Sequence, residues 1–348
     1  MPGRTSLAAP GHRAEGAGLE PEPMASRSQR LSVAHLTPRC HPPLLDRWQV
    51  FEVGKELRGF RGGAGTELAQ IRLQSPRAAT LCRVTVYADL LRYRELFASL
   101  FLRELRAKYK GSVFGIGWSL AYPLVLMGVY TVVFSVLWRG IDVDYYPLFL
   151  LSGLVSWVFF SSALQSASRS LLANANLIKK VRFPRQLVPL AVVGTHLVTL
   201  AVMLAVLIPI HLAILPETRD TIWLVIPLGV ALVALTSGLS LVVACLNALY
   251  RDVEHLVTAL LLPWFFLTPV LYRFEDLPGA VERHGTLVDV LRWGNPMAPV
   301  VEAIRDPLYF GRLPGTGDVV YTCGAALVAL ALGAWVFRRV DDHLAVSL

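Results

Sequence analysis

Six stretches of this sequence run for eighteen residues or more without an Asp, Glu, Lys or Arg: roughly 113–137, 147–168, 187–214, 222–247, 255–272 and 319–337. About 20 apolar residues cross the hydrocarbon core as a helix, and each charge at its centre costs roughly 2.5–3.5 kcal/mol. In lipid every backbone polar group must be satisfied internally, so the segments themselves must be helical. The chain is therefore predicted to be an all-α integral membrane protein with six transmembrane helices. Its 54% hydrophobic and 17% charged residues, with a mean hydropathy of +0.52, agree with that class. The fifth window is short and holds Pro263 and Pro269, which predicts a kinked or broken helix there.

A net charge of +8 raises nucleic acid as a partner, but the basic residues lie beside the apolar runs, where an anionic inner leaflet selects them. No nucleic acid is implied. With the N-terminus in the cytosol, the inner segments carry 15 Lys and Arg and the outer ones 7. Both termini are accordingly expected in the cytosol. The first 80 residues hold eight Pro and nine Gly with no sustained apolar period and no core of signal-peptide type, so residues 1–86 are expected to form a disordered extension. The four cysteines, Cys40, Cys82, Cys245 and Cys323, are scattered and suggest neither a metal site nor a disulfide framework.

Just before the first window, "YADLLRYRELFASLFLRELRAKYK" (87–110) sorts its residues by face. At 100° per residue, Leu90, Tyr93, Phe97, Leu100, Phe101 and Leu105 share one arc, while Arg92, Arg103, Arg106 and Lys110 share the opposite one. Arg94 and Lys108 break the pattern. This predicts an interfacial helix, apolar face on the membrane and basic face toward headgroups and cytosol.

Inside the windows the chemistry is sparse. Away from the window ends, His196 and His211 are the candidates to relay protons, about 60° apart on the third helix. Neither GxxxxGK[ST], HExxH nor GxSxG occurs, and no metal or catalytic residue is assigned. Uphill movement by such a chain would draw its energy from a partner. "LIKKVRFPRQLVP" (177–189) concentrates Lys179, Lys180, Arg182 and Arg185 in one short cytosolic connector. A helix from about Ala173 to Val181, stopped by Pro184, would offer Leu177, Ile178 and Val181 to a partner's cleft. Charge alone leaves two readings open, a docking site or a topology signal.

Several fragments in order carry a family resemblance: "RYRELFASLFLRELRAKYKGSVFGIGWSLAYPL", "LLSGLVSWVFF", "NANLIKKVRFPRQLVPL", "LYRDVEHL", "PWFFLTPVLY" and "NPMAPVVEAIRDPLYFG". Over residues 87–340 the chain resembles the ABC-2 type permeases, in particular the branch that exports O-antigen, teichoic acid or capsule. The resemblance implies a six-span domain over 111–348, preceded by the interface helix at 87–110. It also implies re-entrant outer segments between spans five and six, near Leu277 to Arg312. It implies a homodimer in the bacterial cytoplasmic membrane and two copies of a cytosolic ATPase, with ATP and Mg on that partner and no cofactor on this chain. The connector then corresponds to a coupling helix built from Asn174, Asn176, Leu177, Ile178, Lys179, Lys180, Val181, Arg182, Phe183 and Pro184. The cargo implied is a lipid-linked polysaccharide. Since sugars stack on aromatic rings, Trp118, Tyr122 and Tyr130 are candidates to line its path. Two alternatives are a permease for a drug or free lipid and a membrane enzyme or scaffold that transports nothing.

Overall fold

The computed structural model describes residues 87–137, 143–180, 183–274 and 280–347, and every regular element among them is helical. The extension at 1–86, together with Trp138, Val181 and Arg182, lies outside the described residues. Among the described residues, four helices are long and apolar enough to cross a membrane: Tyr146–Ala173, Leu187–Ile214, Ile222–Leu249 and Thr316–Asp341. The first and fifth windows form shorter apolar helices, Trp118–Phe134 and Val253–Leu267.

In chain order the elements are α1 (Ala88–Arg92), α2 (Arg94–Tyr109), α3 (Trp118–Thr131), α4 (Tyr146–Ala173), α5 (Ala175–Lys180) and α6 (Leu187–Ile214). They continue as α7 (Val225–Leu249), α8 (Val253–Leu267), α9 (Ala280–Gly294), α10 (Met297–Arg305) and α11 (Thr316–Ser347). The interfacial helix expected to run unbroken over 87–110 is divided at Tyr93, whose ψ of 35° departs from helical geometry, and it ends at Tyr109. The proline-bearing fifth window behaves as its sequence implies. Pro263 sits inside α8, and the helix stops at Leu267 because Thr268, ahead of Pro269, is extended (ψ 133°).

The centre of the bundle is α4. Its most apolar window is 83% buried within the protein, against 28% for α6 and 22% for α11. An all-round hydrophobic helix serves as a central column, while its neighbours keep an outward face for lipid. α3, α6, α7, α8 and α10 all pack on it. Ser152, Ser161, Ser168 and Ser170 of α4 bond back to their own helix, as Ser152 Oγ does to the Phe149 carbonyl at 2.6 Å.

α7 and α11 form the closest pair. A Cβ added at Gly238 would fall 2.2 Å from the Ala329 carbonyl carbon, and one at Gly333 would fall 2.5 Å from the Gly238 oxygen. Small residues let two backbones touch where no hydrophobic drive separates protein from lipid.

Neither α9, with 15 residues, nor α10, with 9, is long enough to span a bilayer. Two side chains lock them to the end of α8. Asn295 accepts from Trp264 Nε1 at 2.7 Å and donates to Thr268 Oγ1 at 2.9 Å. Arg305, 2% exposed, donates to the carbonyls of Pro269 (2.7 Å) and Val270 (2.8 Å) in the turn just past the end of α8. Its guanidinium also lies 4.0 Å from the Phe149 ring centre, and Gly153 leaves room for it: a Cβ there would meet Nη2 at 2.3 Å. Complete burial lowers the Arg305 pKa to about 10, so the group stays charged at neutral pH.

Candidate functional site

Two features at one end of the bundle draw on the residues singled out from sequence. The first is the foot formed by the connector. Asn174 closes α4, its Nδ2 donating to the Ser170 carbonyl at 2.9 Å, and its own carbonyl then accepts from the amides of Leu177 and Ile178 at 3.0 Å each. Asparagine suits such a corner because its side chain competes for backbone partners that a helix leaves open. The resulting α5 is one turn and a half among the described residues, Ala175–Lys180, starting two residues later than the Ala173 expected.

The foot presents a different face from the one expected. Ile178 is 8% exposed, packed with Leu100, Leu171 and Leu187 in the protein's own core, and Leu177 and Phe183 are half-buried against the same cluster. An apolar side chain beside an apolar core is buried there rather than held out for a partner. Asn176, Lys179 and Lys180 remain exposed. Arg185 is taken: its Nη1 pairs with Asp341 Oδ1 at 3.2 Å. Pro184 ends the foot ahead of α6.

The surface helix supports this foot from below. Phe97 and Phe101 of α2 lie over Gly194 of α6, and Leu100 is buried among the connector's neighbours. The apolar arc thus rests on protein, apart from Tyr93, which is exposed. Arg92, Arg103, Arg106 and Lys110 are all exposed. Arg103 reaches both Glu104 Oε1, at 2.7 Å, and the Oδ1 of Asn174.

The second feature is a cleft of about 310 Å³ where α2, α3, α4 and α6 meet. Trp118 and Tyr122 line it, one turn apart and 55% and 56% exposed. Opposite the rings lies a hydroxyl-rich wall: Tyr109 Oη stands 2.9 Å from Ser119 Oγ, and Ser119 donates to Thr199 Oγ1 at 3.4 Å. Lys108 Nζ enters the same wall, 3.0 Å from Thr199 Oγ1 and 3.4 Å from His196 Nδ1. An ammonium only donates, so Nδ1 is the acceptor and Nε2 carries the proton toward Ser166 Oγ at 3.0 Å. Burial lowers the Lys108 pKa below that of an ordinary lysine. Its place in the cleft explains why Lys108 spoils the amphipathic wheel, and that misfit was the one sequence signal of its role.

Tyr130 is not part of this cleft. It stacks on Phe265, 5.7 Å between ring centres, inside an aromatic cluster with Trp157, Phe160 and Trp264 that holds α3, α4 and α8 together. Phe149, Phe159 and Phe160 are likewise core. The two histidines do not form a relay: His196 belongs to the cleft, while His211 lies about 22 Å further along α6, buried, with Nδ1 3.0 Å from the Leu207 carbonyl oxygen.

Comparison with known proteins places this arrangement. The chain is 31% identical over 268 residues to the O-antigen export system permease protein RfbA of Myxococcus xanthus, covering 76% of this chain and 100% of that protein. It is 31% identical over 259 residues to the protein of the same name from Klebsiella pneumoniae, covering 73% and 95%. The polysialic acid transport protein KpsM of Escherichia coli is 23% identical over 255 residues, covering 72% and 95%. Residues 95–309, which take in α2, the foot, the cleft and α10, match the family described as ABC-2 type transporter. The chain belongs to the ABC-2 type transporter family.

Proposed function

We propose that this chain is the membrane permease subunit of an ATP-binding cassette exporter that moves a lipid-linked polysaccharide out across the bacterial cytoplasmic membrane. The cargo class is O-antigen, teichoic acid or capsule polymer. The observation that carries the proposal is the similarity to O-antigen export permeases across nearly their whole length. A separate ATPase subunit supplies the energy, binding ATP and Mg on its own chain. Two permease copies pair with two ATPases, and both permease termini face the cytosol. Six crossings result when α3 and α8 complete the four long helices, with α9 and α10 as re-entrant segments on the outer side.

The foot is the point of drive. Asn176, Lys179 and Lys180 are exposed on a short helix that the Asn174 corner joins to the end of the central column α4. A push on the foot by a closing ATPase pair would reach the middle of the bundle directly. The rival cargo, a drug or a free lipid, draws no support from the relatives' names, and a non-transporting enzyme draws none from their identity as permeases and transport proteins.

Co-expression with the cognate ATPase tests the proposal. The permease should co-purify with it, and Lys179→Glu with Lys180→Glu should reduce the yield of complex by about 10-fold or more, since two favourable charges become two repulsive ones. A strain lacking this chain should lose its surface polysaccharide. An unaltered complex would count against the foot, and an unaltered surface against export.

A further inference from the structure

Lys108 is the one charged side chain lining the cleft between α2, α3, α4 and α6, and both of its contacts there, Thr199 and His196, are neutral. No carboxylate lies within ion-pair distance of it among the described residues. Arg185 is paired with Asp341, and Arg292 with both Glu302 and Asp318. Lys108 is an exposed residue, and with the neutral Thr199, His196 and Tyr109 ring as its neighbours it keeps a donor for a ligand. An anion arriving from outside the chain would meet there a cation with no acid beside it among the described residues.

The walls narrow its chemistry. Thr199 Oγ1 lies 3.0 Å from the ammonium, with the Ser119 and Tyr109 hydroxyls hydrogen-bonded beside it, a hydroxyl-lined setting in which phosphate oxygens can find donors. Trp118 and Tyr122 add two ring faces on the same cleft, each more than half exposed. A cation alone would suit any anion. A cation beside paired rings suits a phosphate that carries a sugar, the sugar stacking where the phosphate pairs. A space of about 310 Å³ stands at the small end of ligand sites, room for one head rather than a length of polymer.

We infer that this cleft binds the phosphorylated, sugar-bearing head of the lipid-linked substrate, with Lys108 pairing the phosphate and Trp118 and Tyr122 stacking the first sugar. The inference rests on the export proposal above. It gives α2 a second task. Arg103 and Lys108 stand about 7.5 Å apart along this one helix, one bonded to the corner of the foot and the other in the head site. Loading of the head is thereby mechanically connected to the place where an ATPase would press.

The test uses the purified permease–ATPase complex in nanodiscs of neutral phosphatidylcholine. Three soluble probes are titrated: farnesyl diphosphate, its N-acetylglucosamine conjugate and farnesol. Phosphatidylglycerol doped into the disc serves as competitor. Wild type should bind both diphosphates and not farnesol. Lys108→Met should weaken both diphosphates by about 10-fold or more, and Lys108→Arg should restore most of the loss. Trp118→Ala and Tyr122→Ala should weaken only the sugar conjugate, by about 3- to 10-fold. Arg94→Met, an exposed basic residue on the same helix, should bind as wild type does. Co-elution of each variant with the ATPase checks its fold.

Unchanged binding in a folded Lys108→Met complex overturns the inference, as does wild type binding neither diphosphate. Equal competition by phosphatidylglycerol overturns it in favour of a bilayer headgroup. Cell-surface polysaccharide separates the two levels. If deletion of the chain abolishes it but Lys108→Met restores it fully, the head site is wrong and export stands. If deletion leaves it intact, export itself is wrong.

Discussion

Arg103 donates a hydrogen bond to Oδ1 of Asn174, joining the surface helix to the corner where α4 becomes the foot, 71 residues further along the chain. Asn174 spends its other side-chain bond on the Ser170 carbonyl. Asn174→Ala removes both, and each is worth about 1 kcal/mol in a partly solvated setting. The expected result is a loss of about 1–2 kcal/mol, read as a fall of a few degrees in thermal unfolding, with faster protease cleavage at the connector. Asn174→Asp retains an acceptor for Arg103 and should lose less.

Arg305 gives the second expectation. It is buried, and Glu302 and Asp306 balance its charge. Arg305→Met would strand two carbonyls and remove one of the cations near Glu302 and Asp306, which keep Arg292 and Arg312, a change expected to cost about 2–5 kcal/mol. Gly153→Ala should disturb the same node from the other side, by about 1–3 kcal/mol, because its methyl would displace a guanidinium that has nowhere to go. Thermal unfolding of the detergent-solubilised protein measures both.

Glu302 makes a pH dependence. Burial, partly opposed by Arg292, raises its pKa from 4.5 to about 7. Arg292 Nη2 is 3.0 Å away but poorly aligned for a hydrogen bond, so the pair does not cancel the burial. The folded protein therefore holds this proton more tightly than the unfolded chain does. Its contribution to stability is full below pH 4.5 and is lost as pH rises to about 7. Glu302→Gln should flatten that part of the stability curve relative to wild type, and a matched slope in the two proteins would refute the assignment.

Gly238→Ala and Gly229→Ala, both on α7, should differ sharply. The first forces a methyl into the Ala329 backbone, with an expected cost of about 1–3 kcal/mol or more. The second meets nothing within 4 Å and should be neutral or slightly stabilising through helix propensity. Paired melting curves decide it.

What the sequence made legible was what depends on local pattern. Uncharged runs located the apolar helices, the prolines located the end of α8, and the 100° wheel sorted Arg92, Arg103, Arg106 and Lys110, all four exposed, onto one arc. What it hid depends on distant partners. Arg305 reads as one more outer-loop cation until α10 folds back and finds the Pro269 and Val270 carbonyls. Ile178 and Arg185 read as free for a partner, yet α2 and α11 cover them with Leu100 and Asp341. Tyr130 shares a helix with Trp118 and Tyr122, but Phe265 draws it into packing. Periodicity reports which face a residue occupies, and only tertiary structure says what stands opposite.

The glycine contact of α7 with α11 has a mechanical corollary. Two backbones pressed together at Gly238 and Gly333 have no side-chain cushion to shear, so the pair acts as a fixed post. Compliance has to reside across the bundle, in the short proline-bearing α3 and α8, with Pro123 and Pro263 inside them. An opening wide enough for a sugar chain would form on that side, as a gate swings from its hinge line while the jamb stays put.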